Sequence, residues 1–202
     1  MPFTGARGRV EPQSGMKGKA MTELTKTGFS WRMVGWSAAV ALLAMPFIAM
    51  RFTSEVNWTA IDFIFASVLF GVIGGAFELA VRASSSRFYR GGAALALLGT
   101  LLTIWANLAV GIVGSEDNLA NMWFFAALLV GIAGAIIARF RASGMSLATF
   151  ATAVSLWIAF AIASLGPTDE PWVRHGIELA GTSICALLFV GAAALFRKAA
   201  QS

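Results

Sequence analysis

The chain has 202 residues, of which 58% are hydrophobic and only 12% are charged, and its formal net charge at pH 7 is +5. Soluble globular domains carry roughly twice that share of charged residues, so the chain lacks the polar surface that a soluble domain presents to water. The mean hydropathy of +0.76 therefore predicts burial in a lipid bilayer. The single cysteine, Cys185, excludes an internal disulfide and a zinc site built from several thiolates.

Six apolar runs follow one another along the chain, at 33–50, 61–81, 91–113, 119–138, 147–165 and 177–196. Each is close to the ~20 residues that an α-helix needs to cross a hydrocarbon core of ~30 Å. Transmembrane β-strands would be runs of about ten residues with alternating apolar and polar positions, a pattern that is absent here. The sequence predicts an all-α, polytopic membrane protein, with a six-helix transmembrane bundle in residues 31–198. Residues 1–30 are predicted to be a disordered basic cytoplasmic tail, and residues 199–202 a second cytoplasmic tail.

The first run has two interpretations, because it follows a basic leader and contains Pro46. It could be a cleaved secretory signal peptide or a membrane anchor. No small-x-small cleavage site closes the run before Arg51, and cleavage would leave the new N-terminus on the outer side. Both observations favour the anchor.

Basic residues alternate between the loops. Thirteen of the fifteen fall in the N-terminal segment, in the loops after the second and fourth runs and at the C-terminus, whereas Arg51 and Arg174 fall in the other loops. Cytoplasmic loops are enriched in Lys and Arg, so this pattern predicts a bacterial cytoplasmic-membrane protein with both termini in the cytoplasm. The bases punctuate apolar runs and form no groove-binding surface, so nucleic acid is not an expected partner.

Glycines recur in the even-numbered runs. Shifting the sequence by sixty residues aligns Gly71 with Gly131 and Gly191. This match arises either by chance within an apolar alphabet or from three parallel helical-hairpin repeats, which would pack with pseudo-threefold symmetry. Gly71 and Gly75, with Gly131 and Gly191 on the other runs, predict close packing between helices inside the bundle. A stripe that lines a substrate path is the alternative interpretation.

The few polar side chains in or beside the runs gather towards the predicted outer face. They are Asp62, Asn107, Glu116, Asp117, His175 and Glu178. Because ionisable groups are costly in lipid, these residues are candidates for an ion path or for a mouth that attracts cations. The competing interpretation is structural: a solvated acidic rim, and an Asn107 amide bonded to a neighbouring helix. One histidine, placed three residues before Glu178, does not predict a dedicated metal site.

The sequence predicts neither a catalytic site nor a cofactor. No lysine lies inside a run, which excludes a retinal Schiff base, and one histidine cannot supply two axial ligands to a haem. Phosphate-binding loops, His-Glu-x-x-His helices and Gly-x-Ser-x-Gly elbows are absent from the sequence, as is an arginine ladder for voltage sensing. Glu78 precedes Arg82 by four residues, so an ordinary ion pair along one helix is expected.

Residues 106–121 read Ala-Asn-Leu-Ala-Val-Gly-Ile-Val-Gly-Ser-Glu-Asp-Asn-Leu-Ala-Asn. This stretch resembles a recurring core in an uncharacterised family of small bacterial inner-membrane proteins, with similarity over about 56–141 that weakens afterwards. Family members commonly carry a proline where Leu119 stands. The resemblance implies a bacterial multi-span protein and supplies no activity. The side chains expected to cap the fourth helix in this loop are Ser115, Asp117 and Asn118.

Two classes of function fit these observations. The first is a structural or accessory subunit of a membrane assembly, whose partners are the lipid bilayer, a second copy of the chain or another membrane protein. The second is a small-solute or cation transporter or channel that uses Asn107 and the acidic outer mouth. A polar path from Asp62 to Asn107 would favour transport, whereas Asn107 packed fully against a neighbouring helix would count against it.

Overall fold

The computed structural model describes residues 31–53, 57–115, 117–165 and 175–202. Within these ranges the chain forms helices and loops, with no strand. The helices are α1 (Trp31–Ala49), α2 (Ala60–Ala83), α3 (Arg87–Ala109), α4 (Met122–Ile137), α5 (Ala142–Leu165) and α6 (His175–Gln201), with a 3₁₀ turn (Leu119–Asn121) leading into α4. The tail predicted for residues 1–30 lies outside the described residues, as does Glu116.

The helices belong to two compact units, Met1–Asn57 with α1 and Trp58–Ser202 with α2 to α6. The five helices of the second unit, with the 3₁₀ turn counted as part of α4, are long and apolar enough to cross a membrane. The apolar part of α1, Met33–Ala49, is shorter. The predicted class, a helical bundle suited to a membrane, is therefore confirmed for five runs. The sixth span and the hairpin repeat stay predictions.

The third span is shorter than predicted. The run of apolar residues continues to 113, but α3 ends at Ala109 and the chain turns into a loop. Gly111 and Gly114 both have a φ of +72°, a left-handed conformation that glycine adopts without a steric penalty. A Cβ at Gly111 would collide with the carbonyl group of Ser115. Hydropathy could not show this end, because the loop residues between the two glycines are as apolar as the helix.

Other helices extend beyond the predicted spans. α3 begins at Arg87 instead of 91, α5 begins at Ala142 instead of 147, and α6 covers His175–Gln201 instead of 177–196. Residues 199–201, which were predicted as a tail, continue the last helix. Hydropathy marks the part of a helix that suits lipid, whereas the backbone hydrogen bonds continue into the polar interface.

Helix α6 lies between α3 and α5, α4 packs mainly on α5, and α2 packs mainly on α3. α3 and α6 run antiparallel and close together, with Gly92 against Phe196 and Gly99 against Phe189. The consecutive helices α3 and α4 therefore have their main contacts with different neighbours, unlike the two helices of a packed hairpin. The larger core cluster, which includes Phe124, Leu156 and Phe189, joins α3, α4, α5 and α6.

The predicted glycine contacts form on two helices and not on α2. Gly131 lies against Thr152 of α5, and Gly191 lies against Leu95 of α3. A Cβ at Gly71 or Gly75 would meet no other helix of the second unit within 4 Å, so the predicted seam along α2 is not formed with α3 to α6 and stays a prediction. The reason is the direction in which α2 faces.

α2 turns an aromatic and aliphatic face towards α3. Ala66 and Leu69 are its buried residues, and the Phe70 ring lies 6.2 Å from that of Trp105 on α3. At 100° per residue, Gly75 lies half a turn of azimuth away from Ala66. The glycines of α2 therefore point away from the bundle.

One end of the second unit, the basic end, carries the arginines that follow or precede the helices: Arg82, Arg87, Arg90, Arg139, Arg141 and Arg197. Arg90 donates to the carbonyl groups of Val81 (3.1 Å) and Ser84 (2.8 Å), which satisfies the C-terminal turn of α2. The Tyr89 hydroxyl donates to the carbonyl of Phe140 at 2.8 Å, tying α3 to the turn between α4 and α5. This end is thus held by side chain to backbone hydrogen bonds.

Candidate functional site

The end opposite the basic end is shaped by the loop 110–118, which joins α3 to the 3₁₀ turn. One side chain, Asn121, holds this loop from inside. Its Oδ1 accepts the N–H groups of Ile112 (3.1 Å) and Val113 (2.9 Å), and its Nδ2 donates to the carbonyl of Ser115 (2.8 Å). Asn121 and Val113 are both buried, so these bonds fix the loop to the core. The Asn121 amide bonds to the loop backbone as the peptide group of a neighbouring strand or helix would.

Asn118 begins the 3₁₀ turn. Its side chain accepts the N–H of Ala120 at 2.9 Å, so among the three expected capping residues the structure uses Asn118. Asp117 is exposed. Asn121 was not singled out from the sequence. The signal that could have found it is the pair Gly111 and Gly114 in a short loop that an asparagine follows, a pattern typical of an ordered turn.

Glu178 connects this loop to α6. It lies in the first turn of α6, and its side chain is 12% exposed. Its Oε1 accepts the N–H of Gly114 at 3.4 Å, and its Oε2 lies 3.4 Å from Nδ1 of His175. A carboxylate in the first turn also suits the positive end of the helix dipole. The predicted juxtaposition of His175 and Glu178 on one helix face is therefore present, with the loop as a third participant.

A second polar group lies deeper, between α3 and α6. Asn107 is 2% exposed, and its Nδ2 donates to the carbonyl of Thr103 at 2.7 Å, but its Oδ1 has no hydrogen-bond partner in the described structure. Cys185 of α6 lies within hydrogen-bonding reach of Thr103. Asn107 continues the stripe of α3 residues, Gly99 and Thr103, that faces α6.

Thr182 of α6 carries another buried polar group in this interface. It is fully buried, and its Oγ1 has no hydrogen-bond partner among the described atoms. The hydroxyls of Thr103 and Thr152, by contrast, each donate to the carbonyl four residues earlier in the helix. Thr182 lies one turn from Glu178 on the same face of α6, so the buried oxygens of α6 and α3 belong to one helix interface.

Asp62 does not join this group. Its Oδ2 accepts the Thr59 N–H at 2.7 Å, and the Thr59 hydroxyl oxygen accepts the Asp62 N–H at 3.4 Å, so the two residues form a capping box at the start of α2. α2 packs on the side of α3 that carries Trp105, and Asn107 lies two residues further along α3, about 200° away in azimuth. Asp62 and Asn107 are therefore on opposite sides of α3, and the described residues show no polar path between them of the kind that would favour transport.

The predicted residues thus divide into three groups: His175 with Glu178 at the loop, Asn107 deeper in the same interface, and Asp62 with Asp117 outside it. Thr182 and Asn121 were missed, because single polar residues in apolar runs show no partner in sequence. Within the described ranges, no three His, Cys, Asp or Glu side chains are grouped to hold a metal ion. Comparisons of the chain with protein-family models, curated proteins and solved structures find no match.

Proposed function

We propose that this protein is an integral membrane protein that serves as a structural or accessory subunit of a membrane assembly. The observation that carries the proposal is the open side of α2. Only 11% of the most apolar window of α2 is buried, compared with 22% to 39% for the four other long helices. Ile64, Val68 and Val72 are all exposed on this helix. Most of the α2 surface is therefore available to lipid or to another membrane helix.

The residues on the open side of α2 favour a helix over lipid. Gly71 and Gly75 are spaced by four, and no other helix of the second unit fills the space beside either one. Small residues at this spacing let two helix backbones approach closely, which strengthens the van der Waals contacts that drive association in a bilayer. Contact with lipid alone would not require glycine, because lipid chains pack equally well against larger side chains. Glycine also destabilises a helix by about 1 kcal/mol relative to alanine. The proposed occupant is a transmembrane helix of a different membrane protein.

The proposed setting is a bacterial cytoplasmic membrane, with α1 as a sixth span and both termini in the cytoplasm. The support for this orientation is the concentration of arginines at the basic end, whereas the opposite end carries Glu178 and Asp117. The three-hairpin repeat is not part of the proposal, because α3 and α4 pack mainly on different helices.

A double substitution tests the accessory role. The full chain with Gly71→Leu and Gly75→Leu is purified from its native membranes in mild detergent, beside the unchanged chain. We expect a companion membrane protein to co-purify with the unchanged chain at fixed stoichiometry and to be lost from the double variant. Both chains are expected to unfold at the same temperature, because the new side chains project away from α3.

Gly181→Leu is the matched control, since Gly181 of α6 is equally open and lies outside the α2 stripe. This control is expected to keep the companion. Equal recovery of the companion with the double variant, or its equal loss with Gly181→Leu, would contradict the role of α2. An unchanged chain that purifies without any companion would contradict the accessory role itself.

The second candidate function is cation or small-solute transport. It is favoured by one observation, the two buried oxygens Asn107 Oδ1 and Thr182 Oγ1 that lack partners in the described structure. Such oxygens suit a passing cation or a polar solute, and Glu178 lies one turn from Thr182. The test is cation flux into vesicles that contain the purified chain, compared with Asn107→Leu and Thr182→Val. Flux equal to that of empty vesicles would reject this candidate.

A further inference from the structure

A groove runs along the outside of the bundle between α5 and α6, at the basic end. Its volume is about 580 Å³. Its walls are apolar and include Leu147, Phe150 and Val190, and Ala193 lines it at a point where the two helices are joined. The joint is a hydrogen bond at 2.8 Å from the Ser146 hydroxyl to the Ala193 carbonyl. This apolar groove therefore lies on a surface that faces lipid when these helices span a membrane.

The groove covers much of one leaflet. On α5 it runs along eight residues, from Ser143 to Phe150, and on α6 the part from Val190 to Arg197 also covers eight residues. At 1.5 Å per residue step, each stretch measures about 10 Å along its helix axis. Half of a hydrocarbon core of ~30 Å is ~15 Å, so the groove extends from Arg197 over about two thirds of one leaflet.

The mouth of the groove is cationic. Arg197 lines it together with Ser143 and Gln201, and all three side chains are exposed. No acidic residue is among the described residues that line the groove. The adjacent base, Lys198, is directed elsewhere, because its ammonium group lies 5.4 Å from the centre of the Phe88 ring on α3. One guanidinium group and two neutral hydrogen-bonding side chains therefore define the polar end.

We infer that this groove binds an anionic phospholipid, with one acyl chain between α5 and α6 and the phosphate at Arg197. A guanidinium donates paired hydrogen bonds that match phosphate geometry, and the two neutral polar side chains can donate further ones. A partner helix would not explain a cation at one end of an apolar groove that ends within one leaflet. This inference concerns α5 and α6 and is independent of the role proposed for α2.

The test measures lipid binding to the purified full chain in neutral detergent, by native mass spectrometry. Phosphatidylglycerol and phosphatidylcholine with identical acyl chains are titrated separately. We expect phosphatidylglycerol to bind about fivefold more tightly, the effect of one arginine at an anionic surface. Arg197→Gln should remove this preference, and Ala194→Phe, which fills the groove from an exposed position, should weaken the binding of both lipids.

Lys198→Gln is the matched control, because it removes the same charge from the neighbouring position on the same helix. It is expected to retain the preference for phosphatidylglycerol. Equal affinity of the unchanged chain for both lipids would overturn the inference, as would equal loss of preference in Arg197→Gln and Lys198→Gln. Displacement of phosphatidylglycerol by an equal concentration of palmitate would identify a free fatty acid as the occupant and would also overturn it.

Discussion

α2 and α6 are almost equally apolar, yet 11% of the most apolar window of α2 is buried and 39% of that of α6. The difference lies in what their small residues face. Ala192 and Gly191 of α6 lie against α3, whereas Gly71 and Gly75 of α2 face away from it. Hydropathy thus decides that a helix enters a bilayer, and the azimuth of small and aromatic residues decides which neighbour it contacts.

The largest predicted effect comes from removing a core side chain of α6. Phe196 is fully buried, with its ring 5.1 Å from that of Tyr89. We expect Phe196→Ala to lower the free energy of unfolding by about 3 kcal/mol, because the neighbouring helices cannot close the cavity. Phe65→Ala on the exposed side of α2 should change it by less than about 0.5 kcal/mol. Unfolding titrations in mixed micelles measure both values, and equal losses would remove the distinction between the helices.

Replacing a glycine by leucine compares a packed glycine of α3 with an open glycine of α2. A Cβ at Gly99 of α3 would lie 2.9 Å from the Phe189 ring of α6, so Gly99→Leu should cost about 1 to 3 kcal/mol through overpacking. Gly71→Leu on α2 should be neutral or slightly stabilising, since leucine has the higher helix propensity. Thermal unfolding of the two variants gives the comparison, and a loss at Gly71 as large as that at Gly99 would show that α2 is packed on both sides.

The loop 110–118 is expected to show an effect no larger than that of Gly99→Leu. Asn121→Ala would leave the buried N–H of Val113 and the partly buried N–H of Ile112 without their acceptor, at a cost of about 1 to 3 kcal/mol. Hydrogen exchange at these two amides should accelerate. Asn118→Ala, which removes only the cap of the 3₁₀ turn, should cost ~1 kcal/mol and leave their exchange unchanged. Slow exchange in Asn121→Ala would show that another group holds the loop.

The smallest effect is expected at the surface ion pair of α2. Arg82 lies 3.2 Å from Glu78 and is largely exposed. Arg82→Gln should change the free energy of unfolding by no more than about 0.5 kcal/mol, and the change should shrink further in high salt. A loss of several kilocalories would indicate that Arg82 contacts a buried group.

The sequence was sufficient to predict the helical class and the approximate position of each described helix, because runs of about twenty apolar residues have one stable solution in lipid. It was insufficient for the end of α3, where apolar loop residues at 110–113 resemble helix. The backbone conformation of Gly111 decided that end, and hydropathy does not report conformation.

The candidate site was predictable only in part. Glu178 and His175 share a helix face by spacing alone, and the structure brings them together. The separation of Asp62 from Asn107 could not be predicted, because it depends on which side of α3 receives α2. That choice follows from contacts between Phe70 and Trp105, residues that are far apart in the sequence.

The most direct test of the account is photo-crosslinking from α2. A photoreactive amino acid is placed at Val68, which borders the glycine stripe, and in a second variant at Ile184 of α6, which is similarly exposed. Illumination of native membranes is expected to join Val68 to another membrane protein and to join Ile184 to lipid. Crosslinks from Val68 that reach only lipid or the chain itself would contradict the proposal that α2 receives a partner helix.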